Sequence, residues 1–268
     1  SLERAIALNG VAVETNRRAF LWGRALAHDP GLAEALLGEP RRPLTLEALV
    51  AERADELVRY QGEALARRYR ALVERAVRRE AEVAGEAGPV ARAVAEAWFH
   101  VLACKDEYEV ARLHTDPAFL AGIRDQFGDA AVTLHLSPPI PFLGRDPATG
   151  RRRKLALPGR VMLPLFRLLA RGRAIRGSWL DPFRWQSDRR LEREMIRAYE
   201  ADVAQGLAAL TAGNGERVAR LLRWPFAVRG FGPVKRASHA RAMAERAAAL
   251  AALAEGPRAT VAEAAHSS

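Results

Sequence analysis

The sequence predicts a mainly α-helical fold: a multi-helix domain with one long helix and a small β-ribbon insertion. Three observations point there. Apolar residues recur at three- and four-residue spacing over most of the chain, the signature of helices with one buried face. Prolines follow capping residues where such stretches begin, as in Asp116-Pro117, and glycines close them, as at Gly128. Two-residue alternation is confined to the region around Val132-Thr133-Leu134-His135-Leu136. With 268 residues, 49% hydrophobic and 28% charged, the composition is that of a globular chain.

In chain order, residues 2–28 read as helical, with Ala5, Leu8, Ala12, Ala19 and Leu26 among the small and apolar positions. Gly10 weakens this stretch and Asp29-Pro30-Gly31 ends it. The connector Gly38-Glu39-Pro40-Arg41-Arg42-Pro43 separates an N-terminal part, 1–38, from a helical domain, 44–254. Thr45 offers an N-cap for one helix running to about Glu82, with Leu46, Leu49, Val50, Leu57, Tyr60, Ala64, Leu72 and Ala76 along one side. Such a helix would be roughly 55 Å long. Pro89 opens the next helix, to about Leu113, on which Cys104 falls in register with Val90, Val94, Ala97, Val101, Tyr108 and Ala111. That register reads as a small buried core residue. Asp116-Pro117 opens a further helix that closes at Gly128.

Leu155-Ala156-Leu157 is the second strand of the ribbon, reached through the stiff Ser137-Pro138-Pro139-Ile140-Pro141 and the turn Asp146-Pro147-Ala148-Thr149-Gly150. His135 on the first strand reads as a partly buried, hydrogen-bonded histidine. Helices resume at 161–171, 187–211, 215–223 and 234–254, and residues 255–268 form a flexible tail.

Several function classes find no support. One cysteine excludes an internal disulfide and an iron–sulfur cluster held by four thiolates of this chain. The six histidines show no HxxxH or HExxH spacing, so no metal is expected here. There is no phosphate-binding GxxxxGK loop, no GxGxxG after a strand and no GxSxG elbow. The opening Leu2-Glu3-Arg4-Ala5 lacks signal-peptide character, and the apolar run from Val161 is interrupted at Arg167, short of the roughly 18 residues of a membrane span. A cytoplasmic location without membrane contact is the expectation.

The charge is concentrated. Residues 151–190 hold twelve Arg and Lys residues against Asp181 and Asp188, which equals the net charge of +10 of the whole chain. Such a block suits an acidic protein, a phosphate or a nucleic acid, and it equally suits pairing with acidic helices of the same fold. Candidate binding or interface residues are Lys105, Asp106, Tyr108 and Arg112 on one helix flank, then Arg151, Arg152, Arg153 and Lys154. Arg176 and Asp181 follow beside a rigid Asp181-Pro182 turn with Trp179, Phe183 and Trp185 nearby, and Arg229 and Lys235 flank the Gly230-Phe231-Gly232 loop. On a helix Lys105 faces Glu109 and Tyr108 faces Arg112, either bordering a pocket or fixing packing. The interleaved Trp, Phe and Arg leave open a basic anion- or nucleic-acid-binding module. No residue qualifies as catalytic.

Three signatures carry a resemblance: Lys105-Asp106-Glu107-Tyr108-Glu109-Val110-Ala111-Arg112, Ile175-Arg176-Gly177-Ser178-Trp179-Leu180-Asp181-Pro182-Phe183 and Val228-Arg229-Gly230-Phe231-Gly232-Pro233-Val234-Lys235. With Tyr60-Gln61, Arg68-Tyr69, His135-Leu136-Ser137-Pro138-Pro139 and Arg189-Arg190 they resemble the C-terminal region of fused indolepyruvate ferredoxin oxidoreductases. Residues 5–24 look like the end of the gamma-type domain of those enzymes, and residues from about 48 to 250 like the helical domain of unassigned activity that follows it. The resemblance implies a whole enzyme that decarboxylates an aryl 2-oxoacid on thiamine diphosphate with Mg2+. Its electrons pass through 4Fe-4S centres to ferredoxin, and the acyl group goes to coenzyme A. The cofactor motifs would lie upstream, so this piece is expected to bind no cofactor itself. Implied partners are the upstream domains, ferredoxin, coenzyme A and a second copy in a homo-oligomer, with nucleic acid not expected. Cys104, Arg184 and Pro233 stand where relatives commonly carry tyrosine, glycine and histidine.

Overall fold

A computed structural model of the chain describes residues 2–29, 31, 32, 35, 43–136, 155–185, 187–230 and 232–254. The described residues form eleven α-helices, two 3-10 turns and one two-stranded sheet, a mainly α fold. Backbone contacts divide the chain into two units, 1–45 and 46–268.

In the first unit the expected single helix is two: α1 (Leu2–Asn9) and α2 (Val13–His28). The break falls at Gly10 and runs through Ala12, whose φ of 46° places it in the left-handed region. Neither helix has a buried residue.

In the second unit, α3 (Leu46–Tyr60) and α4 (Glu63–Ala84) replace the single long helix expected from 45 to 82. The periodicity of the apolar side carries across the join, because Leu57, Tyr60, Ala66 and Tyr69 are all buried. The backbone does not carry across. Gly62 sits at φ 121°, a conformation side chains rarely allow, and its N–H and that of Gln61 both turn back to the Leu57 carbonyl.

The expected helix from Pro89 to Leu113 also divides, into α5 (Pro89–Leu102) and α6 (Glu107–His114). Cys104 therefore lies in the break and not on a helix face. Its register with Tyr108 and Ala111 is a count taken across that break.

Helix α5 is the centre of the core. Val90, Ala93, Val94, Ala97 and Trp98 on it are fully buried, packed among α3, α4, α9 (Ser187–Ala208), α10 (Gly215–Leu222) and the 3-10 turn Trp224–Ala227. Small alanines let the neighbours approach closely, while Trp98 stacks on Tyr199 of α9 with ring centres 5.7 Å apart. The start of α5 is satisfied from a distance. Buried Glu80 of α4 accepts the N–H groups of Gly88, Val90 and Ala91 at 2.8, 2.9 and 2.8 Å, meeting donors that no residue of α5 itself can meet. Replacing Glu80 with alanine is expected to cost about 1.5–3 kcal/mol, the usual value of bonds to a buried charge, read from chemical denaturation. A loss under about 0.5 kcal/mol would mean water caps the helix equally well.

A smaller cluster sits to one side. Helix α7 (Pro117–Phe127) is capped by Asp116, whose side chain accepts from Ala118 and Phe119, as expected. Strands β1 (Thr133–Leu136) and β2 (Leu155–Pro158) pair antiparallel with Leu134 opposite Leu157. Leu134 turns inward to Ala111 of α6 and Phe166 of α8 (Gly159–Arg171). His135 points the other way and is exposed, against the expectation of partial burial. Alternation puts neighbours on opposite faces, and here Leu134 takes the inner one. Helix α11 (Pro233–Ala254) completes the second unit. No described helix is long and apolar enough to cross a membrane.

Candidate functional site

The two helix breaks of the second unit meet, and what they release is used there. A carbonyl at a helix end has lost its intrahelical partner. The Tyr60 carbonyl, at the end of α3, accepts Arg176 Nη1 at 2.7 Å, and the Cys104 carbonyl accepts the Tyr60 hydroxyl at 3.0 Å. The Arg176 guanidinium also lies over the Tyr60 ring, 3.7 Å from its centre, a cation–π contact in a desolvated place.

Asp106 is the hub. It is the N-cap of α6, taking the Glu109 N–H at 2.7 Å. The same carboxylate, with no exposed side-chain surface, receives Arg176 through two nitrogens at 2.6 and 2.9 Å and Arg189 of α9 at 3.0 Å. Arg189 continues to Glu107 at 2.9 Å and Glu192 at 3.1 Å, and Glu192 binds Lys235 of α11 at 2.7 Å. On the other side of α6, Arg112 forks onto Glu109 and reaches Glu56 of α3. The network thus ties α3, α6, α9, α11 and the 172–183 segment together.

Electrostatics follow from this crowding. Burial works against the Arg189 charge, but Asp106, Glu192 and Glu107 more than offset it and hold its pKa above the usual arginine range. Arg112 is raised first by its hydrogen bond to Glu109. The Tyr60 phenol is pushed up by burial and then by Asp106, with Arg176 opposing. Burial pushes the Cys104 thiol up to about 12, aided by the Glu192 carboxylate. Such a thiol is protonated and inert at neutral pH.

Asp181 is also a buried carboxylate. It lies five residues from Arg176 in the sequence, yet Arg176 is committed to Asp106. Asp181 instead accepts three neutral donors: the Tyr108 hydroxyl at 3.0 Å, Gly177 N–H at 2.7 Å and Phe183 N–H at 3.0 Å. Phe183 meets the Tyr108 ring edge-on at 5.4 Å. Gly172 permits this, since a Cβ there would lie 2.8 Å from the Tyr108 ring. Trp179 and Trp185, by contrast, are 80% and 77% exposed.

Asp106, Tyr108, Arg112, Arg176, Asp181 and Lys235 therefore come together. Lys105, just outside α6, is exposed and does not face Glu109, which is taken by Arg112. Tyr108 binds Asp181 and not Arg112. Arg229 stays on its own loop, bonded to Ser238 and to the Phe226 carbonyl. Arg151, Arg152, Arg153 and Lys154 lie outside the described residues.

Glu56, Arg189 and Glu192 are essential members that site reasoning from the sequence missed. Only Arg189 had a signal, its place among the residues carrying the resemblance. A further buried carboxylate, Asp202, was equally silent; it takes Trp224 Nε1 at 2.8 Å and Arg246 Nε at 2.6 Å. Among the described residues no group of His, Cys, Asp and Glu is arranged to hold a metal.

Every charged group of the Asp106 network is met by another, so its geometry is that of a lock between helices. Fold and site together define a helical domain closed by a buried ionic lock. A model of a family of unknown function (DUF6537) matches residues 46–248, and the chain belongs to that family. No curated protein matches it, and no solved structure matches it.

Proposed function

We propose that the chain is an accessory, scaffolding domain of an indolepyruvate (aryl 2-oxoacid) ferredoxin oxidoreductase. Thiamine diphosphate and iron–sulfur chemistry would be carried by other domains of the same enzyme. One observation carries the reading. The segments that hold the resemblance, Lys105–Arg112, Ile175–Phe183, Arg189-Arg190 and the loop to Lys235, are far apart in sequence yet supply the partners of one buried network. Their polar groups are spent on holding helices together, which is what a support element requires. A catalytic pocket would keep polar groups free for substrate.

The test has two arms. Calorimetric titration of the purified chain with thiamine diphosphate and Mg2+, and iron analysis after anaerobic reconstitution, should each show no stoichiometric binding. The reading frame that precedes Ser1 should encode thiamine-binding and cysteine-cluster motifs. Stoichiometric uptake of either cofactor, or a preceding frame without those motifs, would reject the proposal.

A further inference from the structure

Among the described residues, the basic block 151–190 does not form one surface. Arg176 and Arg189 are consumed inside the Asp106 network, with side chains 8% and 11% exposed. Helix α8 behaves differently. Its sequence, GRVMLPLFRLLAR, contains no acidic residue, and Arg160, Arg167 and Arg171 are all exposed with no ion pair among the described residues.

The same helix has two apolar faces. One, centred on Phe166, packs on β1 and α6. The other is a ridge of Val161, Leu165 and Leu168, which are 60%, 52% and 64% exposed. At roughly 100° per residue these three fall within about 60° of one another, and the three arginines form a parallel ridge about 100° to one side. Scattered exposed leucines are ordinary, but a continuous aliphatic ridge along an anchored helix with a one-signed flank is a typical recognition face.

We infer that the outer face of α8 docks an amphipathic helix of another protein, one that carries aliphatic side chains along its stripe and carboxylates along one flank. The aliphatic ridge would supply burial and the arginines would supply orientation through paired hydrogen bonds to carboxylates. Charge complementarity selects this occupant. A second copy of α8 would bring more arginines and no carboxylate to pair with them. An anionic membrane suits a helix with cationic residues on both flanks and aromatic anchors, and here the cations are on one flank and the ridge is wholly aliphatic. The inference does not depend on the parent enzyme proposed above.

The probe is a synthetic amphipathic helix with leucines along one stripe and glutamates along one flank, compared with its lysine counterpart and with phosphatidylglycerol vesicles. The full chain should bind the glutamate peptide saturably. Binding should weaken at least about tenfold in the Leu165→Asp/Leu168→Asp variant, and likewise in Arg160→Glu/Arg167→Glu/Arg171→Glu, a loss of about 1.4 kcal/mol or more. Both variants should keep the melting temperature of the parent chain, because the substituted side chains face outward. Several results overturn the inference: no saturable peptide binding, binding indifferent to the variants, or equal binding of the lysine peptide. Vesicle binding that the same variants abolish would place a membrane there instead. Self-association lost in Leu165→Asp/Leu168→Asp would place a second copy there, and a lowered melting temperature would mean that another part of this chain covers the ridge.

Discussion

Replacing Asp106 with alanine is expected to lower the unfolding free energy by about 3–5 kcal/mol, the cost of stranding buried charges by removing their partner. The size follows from what is left behind. Arg189 retains Glu107 and Glu192, but Arg176, with its side chain 8% exposed, keeps no carboxylate, just the Tyr60 carbonyl and the Tyr60 and Tyr108 rings. The cap of α6 is lost as well, which alone is worth about 1 kcal/mol. A second substitution separates these effects. In the pair Asp106→Ala with Arg176→Met the stranded charge is gone, so part of the loss should return. Glu14→Ala provides the contrast, because its bridge to Arg18 is 74% and 67% exposed, and such surface pairs contribute less than about 1 kcal/mol. Urea denaturation of the four proteins measures all of this. Equal losses for Asp106→Ala and Glu14→Ala would show that the network is no lock.

The second large effect is alkaline unfolding. The chain has four tyrosines, and Tyr60, Tyr69, Tyr108 and Tyr199 are all at most 3% exposed. Burial is the leading cause that raises each phenol above its ordinary range. For Tyr108 the hydrogen bond to the Asp181 carboxylate adds to it, since an ionised phenol would face that charge.

The sign is definite. The unfolded chain ionises near pH 10 while the folded chain keeps its phenolic protons, so this stability is complete below about pH 10 and falls as the pH rises. At about pH 11 each tyrosine favours unfolding by about 1.4 kcal/mol, and four together by about 5–6 kcal/mol. That is comparable to the whole stability of an ordinary domain, about 5–15 kcal/mol. Cys104, pushed up to about 12, adds in the same direction from about pH 9. The chain has only three lysines, Lys105, Lys154 and Lys235, so few other groups titrate in this window. Tyrosinate absorbance and the helical circular dichroism signal should change together in one cooperative step. Tyrosinate forming near its free value with the helices intact would contradict the burial argument.

Much of the helical architecture was legible locally. The caps Asp116-Pro117 and Pro89, the ribbon strands and the helices near 161–171, 215–223 and 234–254 all announce themselves in a few neighbouring residues. The helix breaks were not legible. Across Gly62 and Cys104 the apolar spacing continues, and periodicity reports which side is buried without reporting whether the backbone is continuous. The freed Tyr60 and Cys104 carbonyls are tolerable only because Arg176 and the Tyr60 hydroxyl arrive from elsewhere. Such a partner, 116 residues away in the case of Arg176, leaves no trace in a local pattern.

The same distinction applies to charge. By itself the sequence determined a mainly helical chain, the presence of Asp106, Arg176 and Asp181 as notable residues, and a net charge of +10 concentrated at 151–190. Only the tertiary structure decided which of those charges are spent. Arg176 leaves its sequence neighbour Asp181 for Asp106: Asp181, equally buried, is filled by the Tyr108 hydroxyl and the Gly177 and Phe183 N–H groups, while the shielded Asp106 carboxylate meets both buried guanidinium groups. Arg160, Arg167 and Arg171 remain outside because α8 turns Phe166 to the core and its arginines away from it. Composition counts charges, and packing sets whether they face a partner inside the domain or outside it.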